Sequence, residues 1–172
     1  LEILIEVYAF YFFLYFNFGG YCDVAIGLGS LLGVRPPENF DRPFLARNVS
    51  DFWQRQHRSL TLWLTDYIFT PTLKATRAGG SLRGHPATAT ALALIVTMLV
   101  SGLWHGTSVG FLLFGLTHGL YLVVYHYWDT LLIKRMGRGR VRALRQNPLV
   151  VAGGVFITFN ATAFAFVFFQ LG

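Results

Sequence analysis

Apolar residues run along this chain in stretches too long for the helices of a soluble core. No Asp, Glu, Lys or Arg interrupts the 45 residues from Gly84 to Trp128, the 27 from Gln146 to Gly172, or the 16 from Val7 to Cys22. A helix needs about 20 mostly apolar residues to cross a bilayer. The longest stretch therefore predicts two spans, over about 86–103 and 107–128, with Trp104-His105-Gly106 near their join. The last stretch predicts a span over about 147–170. The first predicts one over about 1–18, with Glu2 and Glu6 near its beginning.

The segments between the spans follow other patterns. Residues 19–34, GGYCDVAIGLGSLLGV, are apolar but short and glycine-rich, which predicts a re-entrant or interfacial segment. Pro36, Pro37 and Pro43 predict a loop over 35–48, and Asn48 or Ser50 can cap the helix that follows. Over 51–67 a helical period gathers Phe52, Trp53, Gln56, His57, Leu60, Trp63, Leu64 and Tyr67 on one arc. Gln54, Arg55, Arg58, Thr61, Thr65 and Asp66 lie outside that arc, so the pattern is an amphipathic helix along the membrane or against the bundle. Residues 70–86, with Gly79, Gly80 and Pro86, predict a basic loop. The fold class expected is an all-α polytopic membrane protein, with residues 1–172 forming part of one helical bundle.

Composition strengthens the membrane reading. Only 13% of the residues are charged, about half the usual share of a soluble domain, and 54% are hydrophobic. The chain opens inside a helical pattern at LEILIEVYAFYFF and stops in an apolar run at AFAFVFFQLG, which predicts a fragment of a larger membrane domain. It begins with neither the basic region nor the small-residue cleavage site of a signal peptide. A single cysteine, Cys22, excludes an intrachain disulfide and a Cys-based metal cluster, and is expected to be a small buried apolar residue. The net charge of +6 is no nucleic-acid footprint, because its sources sit between apolar runs. Eight of the 14 Lys and Arg fall in 35–86, and Lys134, Arg135, Arg138, Arg140, Arg142 and Arg145 form a dense cluster beside Asp129. Such clusters mark the cytoplasmic side and favour anionic lipid headgroups, so membrane lipids are expected partners. Basic segments then flank both outer ends of the 86–128 pair, as in a hairpin with both ends cytoplasmic.

His105 is the residue most in need of a reason. An ionisable side chain far from any flanking loop is costly in a bilayer and tends to mark function. Gly102, Gly106 and Gly110 flank it at four-residue spacing, a pattern that permits close helix approach. A neutral imidazole held there can take a proton from a substrate hydroxyl; a structural histidine bonded to a neighbouring carbonyl is an equal alternative on composition alone. His57 lies at the edge of the apolar arc and reads as an interfacial histidine with a wet tip. His118, near Tyr121 and Tyr125 in helical register, is expected in a structural hydrogen bond, His126 at the interface near Trp128, and His85 in solvent. The five histidines form no metal-ligand spacing, and no Walker loop, nucleophile elbow or dinucleotide fingerprint occurs.

Two stretches resemble the membrane-bound O-acyltransferase family, in its bacterial alginate O-acetylation branch, which is related to proteins that D-alanylate teichoic acid. They are YFNFGGYCDVAIGLGSLLGVRPPENFDRPFLARNVSDFWQRQHRSLTLWLTDYIFTP and SGLWHGTSVGFLLFGLTHG. The motifs PENF, FWxRxH-x-SL-x-x-WL-x-DY and GLWHG come in the family's order and cover about Tyr15 to Trp128. The resemblance implies that His105 is the catalytic histidine and His57 a second active-site position. Trp104, Gly102, Gly106 and Asp66 would line the substrate tunnel, with helix packing an equal reading of the glycines. Gln56 departs from the pattern, which usually has Trp before this histidine. The implied activity is transfer of an acyl group, acetyl in this branch, from a cytoplasmic thioester (acyl-CoA or an acyl carrier) to a hydroxyl. The acceptor would be an exported polysaccharide or an intermediary protein. No bound cofactor or metal is implied; the location is a bacterial inner membrane, and an extracytoplasmic acyltransferase is admitted as partner. Two rivals stand beside it. A transporter calls for charges within the spans, and Gly84–Trp128 has none. In a non-catalytic membrane subunit, His105 would only pack.

Overall fold

The computed structural model describes residues 1–78 and 82–171, and among them the chain is all-α with no strand. Four helices are long and apolar enough to span a membrane: α1 (Glu2–Leu31), α5 (Pro86–His105), α6 (Val109–Met136) and α8 (Pro148–Phe166), the last extended by a 3₁₀ turn over Val167–Leu171. Between them lie α2 (Val49–Arg55), α3 (Arg58–Leu64), a π-helical turn (Thr65–Phe69), α4 (Thr70–Ala78) and α7 (Arg138–Leu144). The protein is an integral membrane protein.

The first difference from the sequence pattern is in α1. Residues 19–31 are no separate re-entrant segment but the second half of one 30-residue helix, roughly 45 Å long. Backbone groups in lipid must bond within their own segment, and this favours continued helix through Gly19, Gly20 and Gly27. The helix ends at Gly33, which takes φ 76° while Val34 N–H bonds to Gly29 C=O at 2.9 Å, a Schellman stop. The chain that follows is the part that turns back into the bundle. Phe40 rests edge-on against Phe18 and Tyr15, and Phe44 against Tyr15 and Phe12. Pro43 and Ala46 are buried there, whereas Arg35, Glu38, Asp41 and Arg42 stay exposed. Cys22 is half-buried rather than buried there, and Asn39 Nδ2 approaches its sulfur at 3.6 Å.

The second difference is that the amphipathic helix over 51–67 is broken. Asn48 caps α2, its Oδ1 accepting from Asp51 N–H at 2.9 Å, but α2 stops at Arg55 and His57 adopts φ 46°, ψ 56°. Helix resumes at Arg58 and runs through the π turn into α4 as far as Ala78, where a basic loop was expected. Gly79 and Gly80 of that loop lie outside the described residues. Likewise α6 continues to Met136, and Gly137 (φ 80°) turns the chain into α7, so the basic stretch 129–146 is mostly helical. Pro86 opens α5, where its missing N–H costs nothing.

Helices α5 and α6 form the tightest pair. A Cβ on Gly102 would collide with the carbonyl oxygen of Phe111, and one on Gly115 with that of Met98. Gly119, one turn further, faces Met98 and Ile95, so the seam on α6 is a small-xxx-small stripe. Gly102, Gly106 and Gly110 are therefore not one face: Gly106 ends α5 and Gly110 belongs to α6. Around this hairpin Tyr11, Phe52, Trp53, Met98, Phe114 and Phe166 build an aromatic core, and Tyr8 OH donates to Asn160 Oδ1 (2.6 Å) to tie α1 to α8.

Candidate active site

His105 is the last residue of α5, followed by Gly106, whose Cβ would fall 2.6 Å from the Phe111 ring. With no side chain at 106, Phe111 closes against the helix end and lies 6.1 Å from the His105 ring, nearly parallel to it. Phe169, from the 3₁₀ turn after α8, meets the same imidazole edge-on at 4.7 Å. His105 is thereby fixed by aromatic contacts and left half-buried.

His57 arrives by a different route. Its left-handed backbone is uncommon for a residue with a side chain and costs about 1–2 kcal/mol. The PENFD segment holds that bend on both sides. After it, Asn39 C=O accepts from Arg58 N–H at 3.0 Å, and Asn39 Oδ1 accepts from Ser59 N–H at 3.1 Å and Ser59 Oγ–H at 2.7 Å. Before it, Asp41 N–H bonds to Arg55 C=O at 3.0 Å, while the Arg55 side chain reaches Asp41 C=O and pairs with Asp51 at 2.7 Å. The imidazole then lies 4.7 Å edge-on from Phe18 and 5.8 Å from Trp104. Burial lowers its pKa below the ordinary histidine value, so it is neutral at pH 7. Both ring nitrogens are buried without a protein partner among the described residues.

His57 and His105 line one cavity of about 280 Å³, with Trp104 between them, its ring 4.8 Å from that of His105. Phe18, Trp53, Gln56, Phe114 and Phe169 supply most of the remaining wall. The lining is apolar except for the two imidazoles and the Gln56 amide. Such a chamber suits an acyl chain with a polar reaction centre at its end. Gln56, where the family pattern usually has Trp, leaves that amide in the wall.

Of the tunnel positions expected from the sequence only Trp104 lines this cavity; Gly106 packs against the Phe111 ring, and two others lie further off. Gly102 is sealed in the α5–α6 seam, and Asp66 is exposed on the π turn. His118 is wholly buried among Phe52, Trp53, Phe114, Tyr121 and Phe166, its ring stacked on Phe52 at 5.9 Å. The hydrogen bond expected of it is absent among the described residues. The sequence pattern had left Phe18, Phe169 and Asn39 without a role. For Asn39 a signal existed in the PENF motif; for the two phenylalanines none stood out in so aromatic a chain. No group of three or more His, Cys, Asp or Glu able to hold a metal occurs among the described residues.

Fold and site together define a largely apolar chamber with two imidazoles in its wall, set in a bundle of four helices able to span a membrane. The chain belongs to the membrane-bound O-acyltransferase family, whose sequence profile matches residues 3–150. It is 32% identical over 167 residues to the teichoic acid D-alanyltransferase of Streptococcus thermophilus, covering 95% of this chain and 40% of that protein. It is 43% identical over 111 residues to the probable alginate O-acetylase AlgI of Pseudomonas syringae pv. tomato, covering 64% and 20%. With the peptidoglycan O-acetyltransferase of Helicobacter pylori it shares 34% over 163 residues, 92% of this chain and 27% of that one. The chain thus spans two-fifths or less of the length of these relatives.

Proposed function

We propose that this chain carries the catalytic core of an O-acyltransferase that moves an acyl group from a cytoplasmic thioester to a hydroxyl outside the cytoplasm. One observation supports this above the rest: two histidines 48 positions apart in sequence, one on a strained bend and one at a helix end, line a single apolar cavity.

In this reading His105 takes the hydroxyl proton as the oxygen attacks the thioester carbonyl. The C–O bond forms, the C–S bond breaks, and the proton passes from His105 to the departing thiolate. A positioned base of this kind contributes about 10²–10⁴-fold in rate. His57, kept neutral by burial, orients a reactant by hydrogen bonding from the other side of Trp104. The thioester is a substrate and no resident cofactor is required. The relatives' names point to hydroxyl-bearing polymers of the bacterial envelope as acceptors, directly or through an intermediary protein, and hence to the bacterial inner membrane. An extracytoplasmic acyltransferase is the fitting partner for such a relay.

The full-length protein in proteoliposomes, given labelled acetyl thioester and a polysaccharide acceptor, should build alkali-labile ester label that His105→Ala abolishes. Label that accumulates equally in His105→Ala vesicles rejects the reading.

A further inference from the structure

On the cytoplasmic side indicated by its positive charge, the chain holds a second pair of cavities unrelated to the histidine chamber. One, of about 340 Å³, is walled by Arg47, Arg138, Arg142 and Arg145 over a floor that includes Ile133 and Val141. The other, of about 580 Å³, shares Arg47, Val141 and Arg145 with it and continues between α6 and α8, past Trp128, Leu132 and Val150. A cationic basin therefore opens into a cleft that is apolar along α6 and α8 and polar on the side where Asn48, Asp51 and Arg55 line it.

Three features make this more than a basic surface. Arg47 comes from the far end of the segment that folds back after α1, and its carbonyl oxygen packs on Gly154 of α8, where a Cβ would stand only 2.5 Å away. It is thus brought to a cluster some 90 positions downstream by the fold, not by sequence. Second, the nearby acids are already engaged: Asp51 pairs with Arg55, and Asp129 with Arg145. Among the described residues the guanidinium groups of Arg47, Arg138 and Arg142 have no carboxylate within 4.0 Å, although the Arg47 backbone N–H donates to Asp51 Oδ2 at 2.9 Å. Third, the basin sits where the span of α8 begins and that of α6 ends, and Trp128, a residue type enriched at membrane interfaces, lines the adjoining cleft.

We propose that this site holds one anionic phospholipid, its phosphate among Arg47, Arg138 and Arg142 and an acyl chain in the α6–α8 cleft. Guanidinium groups recognise phosphate oxygens in a bidentate manner, and basic pockets between spans on this side suit anionic heads. The lipid would join the returning segment, which leads through α2 to His57, to the end of α6.

The test is native mass spectrometry of the full-length protein in detergent, titrated with phosphatidylglycerol, phosphatidylcholine or inorganic phosphate. The wild type should retain one phosphatidylglycerol in preference to phosphatidylcholine, and inorganic phosphate should not displace it. Arg47→Gln/Arg138→Gln/Arg142→Gln should lower that preference roughly fivefold per arginine, on the order of a hundredfold in all. Val150→Trp, which fills the cleft and leaves the arginines in place, should also weaken retention. Equal retention of the two lipids by wild type overturns the proposal without recourse to any variant. So does displacement by inorganic phosphate, which would make the basin a simple anion site, or full retention in Val150→Trp.

Discussion

Asn39→Ala removes a side chain by which the PENF segment grips the first turn of α3, and the structure sets the size of the effect. Two acceptor contacts at Oδ1 are lost, from Ser59 N–H at 3.1 Å and Ser59 Oγ–H at 2.7 Å, whereas the carbonyl bond to Arg58 N–H survives. Each such bond is worth about 0.5–1.5 kcal/mol net. The bend they stabilise carries a left-handed His57 that costs about 1–2 kcal/mol on its own. Loss of roughly 1–3 kcal/mol is therefore comparable with the strain, and His57 should leave its position facing Trp104 for much of the time. Since about 1.4 kcal/mol is tenfold in an equilibrium, kcat/KM for acyl transfer should fall by roughly 5- to 150-fold. Asn39→Asp keeps both acceptor contacts and loses only the weak approach to Cys22, so it should restore most of the activity. The assay is kcat/KM of the full-length protein in proteoliposomes beside its melting temperature and that of His57→Ala. An Asn39→Ala protein with normal kcat/KM, in a background where His57→Ala is impaired, would refute the clamp. If His57→Ala is itself unimpaired, the fault lies in the site assignment instead.

Gly115→Val should lower the melting temperature and the yield of membrane-inserted protein, because its Cβ meets the Met98 carbonyl; overpacking of this kind costs about 1–3 kcal/mol. His118→Phe should be tolerated with melting unchanged or raised, since the shell is aromatic and neither ring nitrogen has a protein partner among the described residues, whereas His118→Gln should melt lower. His57 has a depressed pKa in the fold, so between that value and about 6.5 the unfolded chain binds the extra proton. Its contribution is complete above about pH 6.5 and is lost as the pH falls. Melting should therefore decline on acidification, and less steeply in His57→Gln.

The spans were legible because charge-free length is a one-dimensional property, and Gly84–Trp128 could hardly be anything but a pair of helices. The extent of α1 was not, since glycines that break a helix in water need not do so in lipid, where open backbone is the costlier choice. The break at His57 was hidden for another reason. The periodicity of 51–67 holds across the gap, and only the contacts of Asn39 and Asp41, made from outside the helix, reveal why it bends. His57 and His105 could be named from motifs, but their meeting across Trp104 is tertiary. Gly102 and Asp66 show the converse, motif residues that the fold places in a seam and on an exposed turn.

Whether His105 takes a proton is decided by His105→Gln. Glutamine keeps hydrogen-bonding capacity and approximate size but has no basic nitrogen near neutral pH. Single-turnover acyl transfer by the full-length protein should fall about 10²–10⁴-fold, as far as in His105→Ala, with membrane level and melting near those of wild type. A His105→Gln protein that turns over at close to the wild-type rate would exclude His105 as the base and leave it a structural hydrogen-bonder.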